Sequence, residues 1–517
     1  MNFLLRSPLL LPIALAALLC TACTVGPNYP GAPDAAPLST KAAAFRRADA
    51  QQTPAALPPA RWWEALNDPE LTRLVDSALA HSPTLRAARA RILEARAALA
   101  KQRAAGDPSA TATAAAIKAR VPAGGLSSLA GGGSSSQGSA QGSSGSSSAS
   151  STPSGHETLD FYTIGFDALW ELDIFGGNRR AVESARARTE AAAAQHEDAQ
   201  VQLAAEVGQA YASLRGLQEQ LAIAQHNSQL EQQMLQLTEL RRRGGTADDL
   251  DVERMRSQIT RTQADIVPLQ GRIEEALDQL ALLTGQEPGT LDAELTPAAA
   301  LPELPASVPV GDPAALLRRR PDVRAAERSL AASNAAIGQA VAQLFPTVTL
   351  FGNIGYSSQQ FSNLLDKNKL ALVGGPLLRW NFLNFGSTRA QIRQANASNQ
   401  EALANYDQAV LAALQDAESS LSRFRHQRDN VVQLGISRDA AARTAALAQK
   451  RYGGGTASLI DALDAERQRL QADQSVSQAR AELLRDYVAL QKSLGLGWQP
   501  APVDDDDDKR KGAARAG

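Results

Sequence analysis

Gly244-Gly-Thr-Ala247, with Leu250 and Asp251 just beyond it, returns as Gly454-Gly-Thr-Ala457 with Ile460 and Asp461. The same offset of 210 residues places Trp170 on Trp380, Phe175 on Phe385, Gly176 on Gly386 and Arg179 on Arg389. An ordered series of this kind marks a duplication, so the chain reads as two similar halves. Upstream, Pro83-Thr-Leu-Arg86-Ala-Ala answers Pro321-Asp-Val-Arg324-Ala-Ala at an offset of 238, which still holds where Pro108 meets Pro346. The first half therefore carries 28 extra residues between Pro108 and Trp170. They fall in a Ser/Gly-rich tract at 124–155, whose low apolar content cannot offset the entropy of ordering it, and it reads as a loop insertion.

Length alone, 517 residues, would suggest several domains, but the duplication favours one architecture: a first repeat over 61–300 and a second over 301–498. The net charge of -2 predicts no nucleic-acid partner. Aromatic residues make up 4% of the chain while Ala is abundant, which suits long helices that approach closely. Arg6, an apolar run from Leu9 to Leu19 and Cys20-Thr-Ala-Cys23 form a signal peptide over 1–22, too short in its apolar part for a membrane-spanning helix. Thr21-Ala22-Cys23 resembles a bacterial lipobox, with Cys20 where that pattern carries Leu. It makes Cys23 the lipidated first residue of the mature chain; the other reading is an ordinary secretory signal. Without Cys23 the mature chain has no further cysteine and hence no disulfide framework. Thr24 rather than Asp after the cysteine implies, by likeness to Gram-negative lipoproteins, the outer membrane. The Pro- and Ala-rich stretch 23–60 reads as an extended tether.

Helical signals begin after Trp62-Trp63 with Asp68-Pro69 and run through Leu71, Leu74, Val75 and Leu79; Ser82-Pro83 starts a second helix that reaches about residue 105. Tyr162, Ile164, Phe166, Ala168, Trp170 and Leu172 then alternate with polar residues, which predicts a strand over 160–172. Its repeat partner 109–120 is assigned from the duplication. In the second half the alternation predicts strands at 347–357 and 371–383, the latter through Leu378, Trp380 and Phe382. Helical hairpins follow at 178–285 and 386–494. The run from Asn178 to Arg242 has no Pro and would extend about 98 Å as one helix. Leu203, Val207, Ala210, Leu214, Leu217, Leu221 and Ala224 form a coiled-coil seam, interrupted near Ser228 and resumed at Leu230, Met234 and Leu237. Val410, Leu414, Ala417, Leu421 and Phe424 repeat it. The strand pairs then lie at one end and the Gly-rich turns at the other. Four strands cannot close around a lumen, so closure calls for several chains.

Catalytic chemistry finds no footing. His81, His156, His196, His226 and His426 are scattered without metal-ligand spacing, and no Gly-rich loop ends in Lys-Ser/Thr. No catalytic residue, metal site or cofactor is expected beyond the covalent lipid on Cys23. Asp461 and Asp464 share one face of the returning helix, and two readings stand: acids lining a pore, or acids that stabilise a helix start, as Asp248, Asp249 and Asp251 do in the other half. The end, 499–517, holds Asp504 to Asp508 followed by Lys509, Arg510 and Lys511, and reads as a disordered tail.

Cys23-Thr-Val-Gly-Pro-Asn-Tyr29, Trp62-Trp63, Trp170-Glu-Leu-Asp-Ile-Phe-Gly176, Arg320-Pro-Asp-Val-Arg-Ala-Ala-Glu327, Phe345-Pro346 and Leu494-Gly-Leu-Gly-Trp498 follow one another in order. In these motifs the sequence resembles the outer-membrane efflux proteins, the TolC-like family, in its OprM/NodT-type lipoprotein branch. It departs in the Ser/Gly tract and in the last motif, where the branch carries three glycines before Trp. The resemblance implies an α+β membrane protein: a homotrimer whose twelve-stranded outer-membrane β-barrel, four strands per chain, is continued by a long α-helical coiled-coil barrel. It implies the passive exit duct of a tripartite RND-type multidrug pump, joined to a periplasmic adaptor (membrane fusion) protein, an inner-membrane RND pump and outer-membrane lipid. The Ser/Gly insert becomes an extracellular loop. Asp461, Asp464 and Ile460 become the periplasmic gate, where like charges raise each other's pKa and attract cations. Tyr452 and Asp251 become a hairpin latch, with Ala457 where the founding member has a second latching Arg. Gly244, Gly245, Thr246, Gly454, Gly455 and Thr456 become adaptor-facing turns. The same duct could serve heavy-metal export or type I protein secretion. A lipid-anchored periplasmic coiled-coil adaptor is the alternative of another class, and it would lack membrane strands.

Overall fold

The computed structural model describes residues 24–48, 52–53, 59–122 and 156–498. Cys23 with its signal peptide, the bulk of the Ser/Gly tract and the tail from residue 499 lie outside the described residues.

Asp68 accepts from the Leu71 amide and Pro69 fills the first helical position, starting helix α1 (Pro69–His81). Ser82 alone separates it from α2 (Pro83–Ala104). Strands β1 (Ser109–Pro122) and β2 (His156–Leu172) follow, then α3 (Gly177–Arg243) and α4 (Asp249–Thr284). The second half repeats the order with α5 (Pro313–Arg319), α6 (Pro321–Ala342), β3 (Thr347–Ser358), β4 (Leu370–Arg379), α7 (Phe385–Gly453) and α8 (Leu459–Ser493).

The four strands form one antiparallel sheet in the order β1-β2-β3-β4, with β2 and β3 joining the two halves. β4 stops at Arg379, short of the expected residue 383. There the Trp380 indole N–H donates to the Leu344 carbonyl at 3.1 Å, and Asn381 to Asn384 turn into α7. β2 begins at His156, earlier than the alternation indicates, because β1 stays paired with it to Pro122.

Two compact units divide the chain. The first includes residues 99–183 and 335–396 and holds the sheet; the second includes 29–98, 184–334 and 397–498 and holds the main core. In that core Leu203, Val207, Ala210 and Leu214 are buried as the seam requires, with Leu217 and Leu221 half-buried; Val410, Ala417, Leu421 and Phe424 match them from α7. Trp62 lies on Gly208, where a Cβ would approach its ring to 2.8 Å, so a side chain at that position is excluded. Past Ser228 the seam differs from expectation: Leu230 is half-buried and Leu237 faces outward, while Met234 and Thr238 take the buried positions.

The N-terminal stretch is no loose tether. Phe45 is buried, and both carboxylate oxygens of Glu418 accept from consecutive amides, those of Arg46 and Arg47, at 2.9 and 3.0 Å. A buried aromatic and two charge-assisted bonds outweigh the extended preference that Pro and Ala confer.

Candidate functional site

In the sheet, Ala112, Phe166, Ile354 and Leu372 lie opposite one another in a row across all four strands. Phe166 and Leu372 are 62% and 77% exposed, and Ile164 and Trp170 lie on the same face. The opposite face carries Asp167, which accepts from Thr113 Oγ1 at 3.0 Å and from Asn353 Nδ2 at 2.6 Å. A solvent-exposed apolar face of this extent calls for lipid, while the opposite face is mixed, with Leu169, Phe351 and Val373 among its polar residues. Among the described residues, β1 and β4 have no strand on their outer edges, and no helix is long and apolar enough to cross a membrane.

The Gly-rich turns are built alike. The Thr246 amide donates to the Arg241 carbonyl at 2.9 Å and the Gly245 amide to Arg242 at 3.0 Å; Thr456 and Gly455 make the same pair to Arg451 and Tyr452 at 2.9 and 3.0 Å. Gly245 and Gly455 both sit at φ 74°, the left-handed position that closes a helix in this motif and disfavours any side chain. The cationic ends Arg241 to Arg243 and Lys450-Arg451 oppose the carbonyl end of each helix dipole.

Each turn then starts the next helix with a cap. Asp248 accepts from the Asp251 amide at 2.9 Å. Ser458 Oγ accepts from the Asp461 amide at 3.1 Å, while Asp461 Oδ2 accepts from the Ser458 amide at 3.2 Å and its hydroxyl at 2.7 Å. Within one chain, the Ser458 hydroxyl and backbone N–H of this capping box hold the Asp461 carboxyl below the ordinary carboxylate value. Asp464 is paired with Arg467 on its own helix. Asp461 and Ile460 are exposed, so of the expected gate residues Asp461 offers its charge most freely.

Tyr452 and Asp251 are not joined within one chain. The Tyr452 hydroxyl lies 3.0 Å from Thr238 Oγ1, which itself donates to the Met234 carbonyl at 2.8 Å. Arg241 stacks over the Tyr452 ring at 4.5 Å and donates to its carbonyl at 2.6 Å. Asp251 instead pairs with Arg254 at 3.7 Å beside the cap. Thr238 and Arg241 are therefore the partners that Tyr452 has within one chain, and nothing in the local sequence marks Thr238 for that place. Met234, Met255, Tyr452, Leu459 and Ala462 pack together beneath the turns. Among the described residues, no group of three His, Cys, Asp or Glu side chains comes together as a metal site.

The outer membrane efflux protein family matches residues 74–286 and 313–496. The chain is 31% identical to the pyoverdine export outer membrane protein OpmQ of Pseudomonas putida, over 95% of this chain and 97% of that relative. It is 28% identical to the toluene efflux pump outer membrane protein TtgI of Pseudomonas putida, over 93% and 97% of the two chains. Among solved structures, the outer-membrane channel OprN superposes with a TM-score of 0.81 at 36% identity, covering 92% of this chain and 100% of that one. The exposed apolar sheet face, the duplicated hairpins and the matched motifs agree: this chain belongs to the outer membrane efflux protein family.

Proposed function

We propose that three copies pool their strands into one twelve-stranded barrel, and that the assembly is the passive exit duct of a tripartite pump. One observation carries this reading: four antiparallel strands with an exposed apolar face and two uncovered edges. Unpaired edge amides and carbonyls are costly in lipid, and four strands cannot enclose a channel, so other copies must supply the neighbours. A periplasmic adaptor and a proton-driven inner-membrane RND pump deliver the cargo, and the lipid on Cys23 holds the assembly to the membrane. The names of the relatives, pyoverdine export and toluene efflux, support small organic compounds of differing polarity as the cargo class.

At the turns, Asp461, Asp464 and Ile460 form the constriction. Arg467 offsets Asp464, so the ring of three Asp461 carboxylates is the charge that meets a passing cation. Tyr452 holds the tip within each chain through Thr238, and Asp251 supplies the latch between neighbours.

Light scattering of the detergent-purified protein and ion permeability of liposomes containing it test the duct, with drug accumulation in a deletion strain complemented by the wild-type chain. The expected result is a trimer, ion-permeable liposomes and lowered drug accumulation. A monomer together with ion-tight liposomes would overturn the proposal.

A further inference from the structure

The apolar packing of the second unit is divided. The main core around Leu203, Val207 and Leu214 and the tip cluster around Met234, Met255 and Tyr452 are separate bodies. Along α3 the buried positions between Ala224 and Met234 are all polar: Asn227, Ser228 and Glu231, each under a tenth exposed. Glu231 Oε1 accepts from Asn227 Nδ2, Gln258 Nε2 and Thr262 Oγ1, each at 3.0 Å, which ties α3 to α4. Its other oxygen, Oε2, is buried with no partner among the described residues. On α8, Arg469 pairs with Glu466 and Asp473 of its own helix, and its Nη2 stands 3.5 Å from Asn227 Oδ1.

Such a layer separates at lower cost than the apolar layers on either side. Apolar side chains lose packing and gain hydration when they part, whereas water can replace each hydrogen bond of the polar layer. The arginine supplies a second arrangement. The ion pairs of Arg469 lie on its own helix and its bond to α3, to Asn227, is long, while Asn227 itself donates to Glu231, whose Oε2 lacks a donor among the described residues.

We infer that this polar layer is the hinge of the tip: the ends of both hairpins move as one body about Asn227, Glu231, Thr262 and Arg469, and Arg469 exchanges Glu466 and Asp473 for Glu231 Oε2 as they move. The inference rests on reading the tip as the gate. It adds where the bending occurs and which ion pair marks the second state.

Amide hydrogen exchange on the full-length trimer in nanodiscs reads the hinge independently of conduction. Replacing the layer with apolar side chains, Asn227→Leu, Glu231→Leu and Thr262→Val together, fuses the two apolar bodies. Exchange over 234–262 and 445–463 is expected to slow at least about tenfold relative to wild type. Should that variant fail to fold, Glu231→Ala leaves three donors without their acceptor and is expected to speed exchange about tenfold in the same two segments, leaving 203–221 unchanged. Unchanged exchange at the tip, or a change spread evenly through 203–221, would overturn the hinge. Slower exchange with wild-type bilayer conductance keeps the hinge and removes the gate.

Discussion

The indole N–H of Trp170 donates to the Gly106 carbonyl at 2.9 Å, and its repeat counterpart Trp380 makes the equivalent bond to Leu344 at 3.1 Å. Gly106 and Leu344 each end the segment that leads into the first strand of their half, so the bond ties strand exit to strand entry twice. Both rings are exposed while their polar atom is satisfied, as an aromatic at a membrane boundary requires. Trp170→Phe and Trp380→Phe should each cost about 1 kcal/mol of stability. Thermal dissociation of the proposed trimer followed on gels checks this, and a marked inequality between the two would contradict the repeat symmetry.

Asp461→Ala with Asp464→Ala should raise single-channel conductance in a planar bilayer and abolish block by divalent cations. Unchanged conductance and block would remove these residues from the gate.

The pH dependence of that block has a defined sign. The carboxyl of Asp461 titrates below its ordinary value, so its ionised, capped form persists above the unfolded pKa and is lost as pH falls through the lower folded one. Block should survive acidification to about pH 3.9, the unperturbed midpoint, and fade below it. Ser458→Ala should move the midpoint upward, because the hydroxyl and its cap are the cause of the depression. Block that already fades near neutral pH would show that the carboxylates of neighbouring chains dominate.

Tyr452→Phe removes the hydroxyl that meets Thr238 and should cost about 1 kcal/mol, with a rise in leak conductance. Thr238→Val added to Tyr452→Phe should cost little more, since the pair is lost together. Additive costs in denaturant titrations would show that the two hydroxyls act separately.

Arg320 holds Asp322, Asp416 and the Ser493 carbonyl with one nearly buried guanidinium, Nη1 reaching Ser493 at 2.6 Å. A lysine cannot make this fork. Arg320→Lys should destabilise by about 2 kcal/mol, read as a lower melting temperature with conductance of surviving trimers unchanged.

Much of this architecture was legible because duplicated spacing constrains both halves at once. The weakly patterned Ala/Thr strand at 109–120 was found through its counterpart rather than its own alternation, and β1 occupies that place. The seam from Leu203 to Ala224 was legible because four-three spacing leaves little freedom. The strand end at Arg379 was not, since alternation continues through Phe382 while a side-chain bond from Trp380 ends the ladder. The partner of Tyr452 was equally hidden. Thr238 lies 214 positions away, and nothing local distinguishes it from other threonines near a helix end. The docking of residues 29–48 depends on Glu418, a remote acid that composition cannot reveal.

The uncovered margins of β1 and β4 also bear on biogenesis. A newly exported polypeptide carries two adhesive borders, of 14 and 10 residues, that any extended chain could template upon. For the proposed trimer, closure requires three chains to meet while off-pathway stacking begins with two, so the yield of refolding from denaturant should rise with protein concentration until aggregation of higher order lowers it again.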